Sequence, residues 1–457
     1  MQGTTWKAVP SNVGGRPGYR ILLLLAATTM AALLCFLAGS PAAADDDDDD
    51  GGASISRQVV VSLKRGAGVA AFNRKFQTRT LQKLPGDDDI YLLKTRKGVN
   101  PARLAARMRN DSRVLYAEPN FRTGSPEGTG RHRANPGGIP SPSPDPVAYK
   151  SQYAVDNLNL TEAHATSRGA GAVVAVIDTG VQADHQELVG KMTAGYDFID
   201  IDRTPDDVGD GRDNDLDGET DEMVGHGTHV AGIVALAAPE AKIMPIRALD
   251  TEGRGTTFGI AKAIRFATRN GADVASLSLG SSQETELLED LIGDDDDSGN
   301  TVFVAAAGND GTDTIQCPAN GSCRSQFPAA EDGAIAVASV DDQKRRSDFS
   351  NFGGWLTVAA PGTDIHSPFP QDDYAVWSGT SMATPFVAGQ AALVSAVEPR
   401  ADASCVAGII ETTADKAALD AANPTFVGKL GSGHADAAAS TDYAANGQNP
   451  CAGMGDD

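Results

Sequence analysis

Three residues of this chain have the types needed for nucleophilic hydrolysis: Asp178 in Asp178-Thr179-Gly180, His226 in Gly225-His226-Gly227-Thr228-His229, and Ser381 in Gly379-Thr380-Ser381-Met382-Ala383-Thr384-Pro385. A serine hydroxyl is a weak nucleophile at neutral pH. It needs an imidazole to take its proton and a carboxylate to fix the tautomer of that imidazole. Taken singly, Asp178 and Ser381 have plainer readings, an aspartate at a strand-to-turn junction and a helix-capping serine. The chain holds all three in the order Asp, His, Ser, and the combination outweighs the separate readings.

The surrounding sequence says how each could be held. Asp178 ends the apolar run Val173-Val174-Ala175-Val176-Ile177, which places it at the carboxyl end of a strand, where open α/β sheets build their sites. Asp178-Thr179-Gly180 also resembles an aspartic protease signature, with Asp297-Ser298-Gly299 as a second copy. That copy lies in the acidic loop 294–299, without the apolar strand that would bury and couple two carboxylates. His226 opens a helix of small residues; His229, one turn on, has neither the spacing nor the glutamate of a zinc pair, so it is expected to be packed. Ser381 stands before a helix expected from Pro385 to about Val397, where its own N–H can face a developing oxyanion. An α/β-hydrolase pairing Ser381 with His434 is the competing arrangement, though its elbow requires glycine where Ala383 stands.

These residues need a scaffold, and the sequence supplies two. Strands over Gln58–Leu63, Ile90–Lys94 and Val114–Asn120, the last stopped by Pro119, with helices over Gly68–Phe76 and Pro101–Arg109, give a small α+β unit. Further on, strands (Ala172–Asp178, Lys242–Ala248, Val274–Leu279, Thr301–Ala307, Ala334–Val340) alternate with helices (Thr228–Ala238, Thr257–Asn270). Apolar runs between helices imply an α/β domain with a buried, mostly parallel sheet. Thr123–Pro146 is rich in Pro, Gly and Ser and is expected to be an exposed linker. The expected organisation is 1–44 signal peptide, 45–56 acidic segment, 57–122 small α+β domain, 123–148 linker with the maturation site, 149–440 catalytic domain and 441–457 tail.

Lys7, Arg16 and Arg20 precede an apolar stretch from Ile21 to Ala38, followed by Ala42-Ala43-Ala44, the pattern of a secretory signal with its cleavage site. An uncleaved anchor is the alternative; no later segment looks apolar enough to span a bilayer. Cys35 would leave with the signal, so Cys317, Cys323, Cys405 and Cys451 remain, an even number in an exported protein. Local separation favours Cys317 with Cys323 and Cys405 with Cys451; free buried thiols are the alternative. The net charge of −23 is unevenly divided. Residues 57–135 hold 17 basic and 6 acidic side chains, whereas residues 136–457 hold 18 and 49. The basic residues are spread through periodic apolar sequence, which speaks for two docking domains and against a nucleic-acid arm.

Between Asp210 and Glu222, Asp210, Asp213, Asp215, Asp217 and Asp221 alternate with short residues and Gly218. The spacing is similar to a calcium-binding loop, with Val224 where the twelfth-position glutamate is expected. A structural calcium and a solvated acidic loop are the two readings.

In combination, these motifs resemble the subtilisin-like serine proteases, the subtilases, over about Gln58–Ser440. The resemblance implies a three-layer catalytic domain with a mostly parallel central sheet, preceded by a ferredoxin-like propeptide over 57–122, the likeness lying particularly at Tyr116-Ala117-Glu118-Pro119-Asn120. That propeptide would act as folding template and intramolecular inhibitor, its last strand leading into the cleft. It also implies that Asn309, in Ala306-Ala307-Gly308-Asn309, donates to the oxyanion, that Gly253-Arg254-Gly255 and Ser278-Leu279-Gly280 are the two edges binding an extended polypeptide substrate, and that the product is a secreted endopeptidase. A monomer is expected, with no nucleic-acid partner and no membrane contact after signal cleavage. The family's usual tight calcium site lacks its loop here, because the helix after His226 runs straight into Pro239. The cysteine-bounded insert between Asn309 and Pro328 is a second departure. A catalytically dead binding protein on the same scaffold is the alternative that intact Asp178, His226, Ser381 and Asn309 argue against.

Overall fold

The computed structural model describes residues 54–86, 88–128, 140–293, 300–313 and 326–447. The expected signal peptide, most of the acidic segment, Asp297-Ser298-Gly299, Cys317, Cys323 and Cys451 lie outside the described residues.

Strict alternation in β1 (Ser54–Leu63) sorts its side chains between two cores. Val59, Val61 and Leu63 face Phe72 of α1 (Val69–Phe76) and Leu104 and Met108 of α2 (Pro101–Met108). Val60 instead joins the core of the larger domain. β2 (Arg79–Lys83), a strand the sequence did not signal, β3 (Asp89–Lys94) and β4 (Val114–Gly124) complete an antiparallel sheet in the order β2-β3-β1-β4. Proline does not stop β4: Pro119 pairs with Val59 and the strand runs five residues further. Pro119 lies opposite Val59 on one side, while the pairing with β9 on the other begins only at Arg122, so its missing N–H is tolerated as on an edge.

The larger domain follows the short strand β5 (Ser141–Pro142) and helices α3 (Pro146–Lys150), α4 (Tyr153–Asn157) and α5 (Leu160–Thr166). Its sheet contains β6 (Val173–Asp178), β7 (Tyr196–Asp197), β8 (Lys242–Arg247), β10 (Val274–Leu277), β11 (Val302–Ala306), β12 (Ala334–Val340) and β13 (Val358–Pro361). The order is β13-β12-β11-β10-β6-β8-β7, every pair parallel. β9 (Arg254–Thr256) lies outside it, paired antiparallel with β4. Strands buried on both faces explain the unbroken apolar runs. Helices α6 (His226–Ala237), α7 (Thr257–Arg269), α8 (Glu286–Gly293) and α9 (Thr380–Val397) cover the faces, and the hairpin β14 (Ile365–Phe369)/β15 (Asp373–Trp377) carries β5.

Two expectations about α9 need correction. It begins at Thr380, so Ser381 is inside its first turn and Pro385 lies within the helix. Proline removes the N–H that Ser381 O would receive in a regular helix, and Ser278 Oγ donates to that carbonyl instead at 2.9 Å. α9 is also long and apolar enough to cross a membrane, but most of it is buried in the core.

Candidate active site

β6 lies at the centre of the sheet between β10 and β8, the chain running on to β7 and β8 on one side and returning to β10 on the other, and Asp178 ends β6 at this switch point. Its Oδ1 accepts from His226 Nδ1 at 2.7 Å and from the backbone N–H of Thr179 at 2.7 Å. Both residues are fully buried. Close approach of α6 to β6 depends on Gly227, where a Cβ would fall 2.1 Å from the carbonyl oxygen of Gly180. Trp377 of β15 stands edge-on to His226, ring centroids 5.1 Å apart, and shields it from water.

Asp207, a residue the sequence reading passed over, ties down the start of α6. Its carboxylate accepts from the backbone N–H of Gly225 and Thr228 and from the hydroxyls of Thr228 and Thr179. Burial pushes its pKa up, against the pull of these donors.

Ser381 Oγ does not bond directly to His226. It donates to Glu127 Oε2 at 2.6 Å, with Ser278 O a longer acceptor at 3.3 Å. The same Oε2 lies 3.2 Å from His226 Nε2. Asn309 Nδ2 donates to the other oxygen, Oε1, at 2.7 Å. Asn309 is aimed by Thr380, whose N–H and hydroxyl both donate to its Oδ1 at 2.9 Å. Burial draws the His226 ring down, but the charge and hydrogen bond of Asp178, then those of Glu127, carry it up to about 10.

Glu127 comes from the segment expected to be an exposed linker. That expectation is wrong for residues 123–128: Thr123, Ser125 and Glu127 are buried. The backbone explains it, because Arg122–Gly124 pairs with β9 and Gly124 exchanges both backbone hydrogen bonds with Gly280, at 2.9 and 2.8 Å. Ser125 N–H then donates to Gly253 O. Gly253, Arg254 and Gly255 thus line one side of the strand and Gly280 pairs with it from the other, while Ser278 bonds with Ser381 and Leu279 is buried in the core. Within this group Arg254 is paired with Asp250.

The remaining candidates sort by contact. His229 Nε2 lies 3.1 Å from Ile365 O and 3.2 Å from Ala375 O, and burial pushes its pKa down to about 3, as a packed neutral ring requires. His434 is buried, its backbone bridges Ala359 and Asp415, and neither ring nitrogen has a hydrogen-bond partner. The α/β-hydrolase pairing of His434 with Ser381 is therefore not what the chain builds. In the acidic loop, Asp213, Asp215 and Asp217 bring carboxylate oxygens within 4.8 Å of one another, and Asp215, Glu222 and Glu252 do the same. Asp210 and Asp221 are outside these groups: Asp221 accepts from the N–H of Asp210 and Gly211, and Asp210 from Arg212 N–H. Glu252, missed because it is distant in sequence, accepts from the N–H of Asn214 and Asp221.

Residues 169–448 match the sequence profile of the subtilase family, and residues 40–120 that of the fervidolysin N-terminal prodomain. Thermitase of Thermoactinomyces vulgaris is 39% identical over 282 residues, 60% of this chain and 91% of thermitase. The thermophilic serine proteinase of Bacillus sp. (strain AK1) is 38% identical over 321 residues, covering 68% of this chain and 69% of that protein. The crystal structure of fervidolysin from Fervidobacterium pennivorans superposes with a TM-score of 0.66 at 23% identity, over 87% of this chain and 62% of the other, a likeness of fold.

Proposed function

We propose, from the premise that the chain belongs to the subtilase family and is a serine endopeptidase with its own N-terminal prodomain, that Asp178, His226, Ser381 and Asn309 are its catalytic set. The observation that carries this is convergence: Asp178 bonds to His226, and His226, Ser381 and Asn309 all reach one carboxylate, that of Glu127. With that carboxylate gone, Ser381 Oγ attacks the substrate carbonyl carbon and its proton passes to His226 Nε2. Asn309 Nδ2 and the Ser381 N–H stabilise the oxyanion. The amine leaves with the proton from His226, and water releases the acyl group by the reverse proton path.

The strand Arg122–Gly124 stands in for an extended polypeptide substrate between Gly253-Arg254-Gly255 and Ser278-Leu279-Gly280. Main-chain pairing asks little of side chains, so cleavage is broad in sequence. The prodomain inhibits from within the same chain until maturation, placed between residues 123 and 148. Secretion through the signal at 1–44, and a monomeric mature form of residues 149–440 with tail 441–457, belong to the same reading. So does the pairing of Cys405, a buried half-cystine, with Cys451, and of Cys317 with Cys323.

Calcium fits the acidic loop. Asp215 is shared by two groups of three carboxylates, and burial, then the neighbouring Glu222 carboxyl, push Glu252 up to about 7, a crowding of acids that a cation would relieve. Asp213, Asp215, Asp217, Glu222 and Glu252 would hold the ion, which would supply only charge neutralisation and loop order.

The decisive experiment is fluorophosphonate labelling with peptidase assay. Wild type should label and cleave casein; Ser381→Ala should do neither. Labelling kept in Ser381→Ala, or lost on His434→Ala and kept on His226→Ala, would sink this assignment.

A further inference from the structure

Glu127 is fully buried at the point where a substrate carbonyl must sit, and its carboxylate meets groups the chemistry uses and its neighbour Ser125. Oε1 receives Asn309 Nδ2 at 2.7 Å; Oε2 receives the hydroxyls of Ser381 at 2.6 Å and Ser125 at 2.7 Å, with His226 Nε2 at 3.2 Å. A buried carboxylate is tolerated only with such compensation. The space is also prepared for it: a Cβ on Gly379 would stand 1.8 Å from Oε1.

Resting on the assignment of Ser381 and Asn309 above, we propose that these residues with His226 form a carboxylate-binding site, and that the Glu127 side chain is its built-in ligand. The precursor is then silenced by an acid side chain seated as an oxyanion mimic, beyond the covering effect of the strand. Two blocks result. Asn309 Nδ2, a donor that must greet the developing oxyanion, is engaged, and Ser381 Oγ is bonded to the carboxylate instead of the imidazole. The ring itself, held between Asp178 and Glu127, is kept as an imidazolium that has no lone pair for the serine proton. A segment bound this way is a poor substrate, because its side chain rather than its peptide carbonyl occupies the reactive position. Peptides that place a glutamate there should bind as inhibitors.

The full-length chain tests this directly. Wild type, Glu127→Ala and Glu127→Gln are exposed to a fluorophosphonate, whose P=O requires the same donors, and labelling is read on the unprocessed band alongside the rate of self-processing. Loss of charge-assisted hydrogen bonds should speed labelling roughly tenfold or more in both variants, or convert the precursor so fast that only processed, labelled protein is recovered. Labelling and processing within about twofold of wild type in Glu127→Gln would overturn the proposal; this isosteric variant decides should Glu127→Ala fail to fold. Absence of label from wild type, variants and processed protein alike would instead remove the assignment of Ser381 as nucleophile.

Discussion

Asn309 shows how much of the site depends on one side chain's orientation. An amide can turn either end toward the cleft, and the two bonds from Thr380 to Oδ1 leave Nδ2 pointing at the reactive position. Thr380 is itself held by Gly308 N–H, which donates to its hydroxyl at 3.1 Å. Asn309→Ala should therefore lower kcat about 100- to 1000-fold with little change in KM, a magnitude known for this donor in the subtilisin family rather than deduced from this chain. A loss expressed mainly in KM would show that Asn309 binds the ground state instead. Asp178, His226 and Ser381 were legible because each sits in a distinctive run of small residues at the end of an apolar segment. Glu127 was not: it stands among Ser, Pro and Gly, and its burial comes from pairing with strands more than a hundred positions away.

The elements around the site repeat that division between local signals and distant ones. β6 and the apolar stretch of α9 were readable because burial on all sides leaves continuous apolar runs. The start of α9 was not, because Pro385 reads as a boundary and only the hydroxyl of Ser278 satisfies the carbonyl it leaves unbonded. The loop 208–224 is the clearest case, since its carboxylates were visible while Glu252, which completes the cluster, belongs to another turn. Asp207 at one end of this loop and Gly225 at the other are tied together, so ordering the loop should reinforce the start of α6 and the position of His226. Calcium well above its dissociation constant should raise the melting temperature by roughly 5 °C. The gain should be larger at pH 8 than at pH 5.5, because a Glu252 carboxyl near 7 must lose its proton to bind. Equal melting curves in calcium and in chelator at pH 8 would rule the site out, and Glu252→Gln should abolish the difference if it exists.

At the scale of the whole molecule, the prodomain is an antiparallel sheet with one face on its own two helices and the other on α7 and α8. Opposite net charge suggested the docking, but the contacts include acceptors set on helix N-termini. Asn120 Oδ1 receives Thr257 Oγ1 and Phe258 N–H at the start of α7, and Glu118 receives the N–H of Glu286 and Leu287 at the start of α8. Burial nevertheless pushes the Glu118 carboxyl up to about 8, above the pull of Leu287 and Glu286 N–H, and the acidic side chains of Glu286 and Asp290 add to it. Glu331 is raised to about 8 by its own burial, and then by Glu284, Glu289 and Glu118 itself. In the free prodomain Glu118 would titrate near its ordinary 4.5. A docked value above the free one means that Glu118 favours docking fully below about pH 4.5, and that this contribution fades as pH rises toward 8. The severed prodomain should accordingly inhibit the mature enzyme at least about tenfold more weakly at pH 8 than at pH 5. Glu118→Gln, neutral throughout, should flatten that dependence while still accepting from α8. An inhibition constant that stays level or tightens across this range in the unmodified pair would show that Glu118 is relieved by some other group, and that release of the prodomain is not driven by alkalinity.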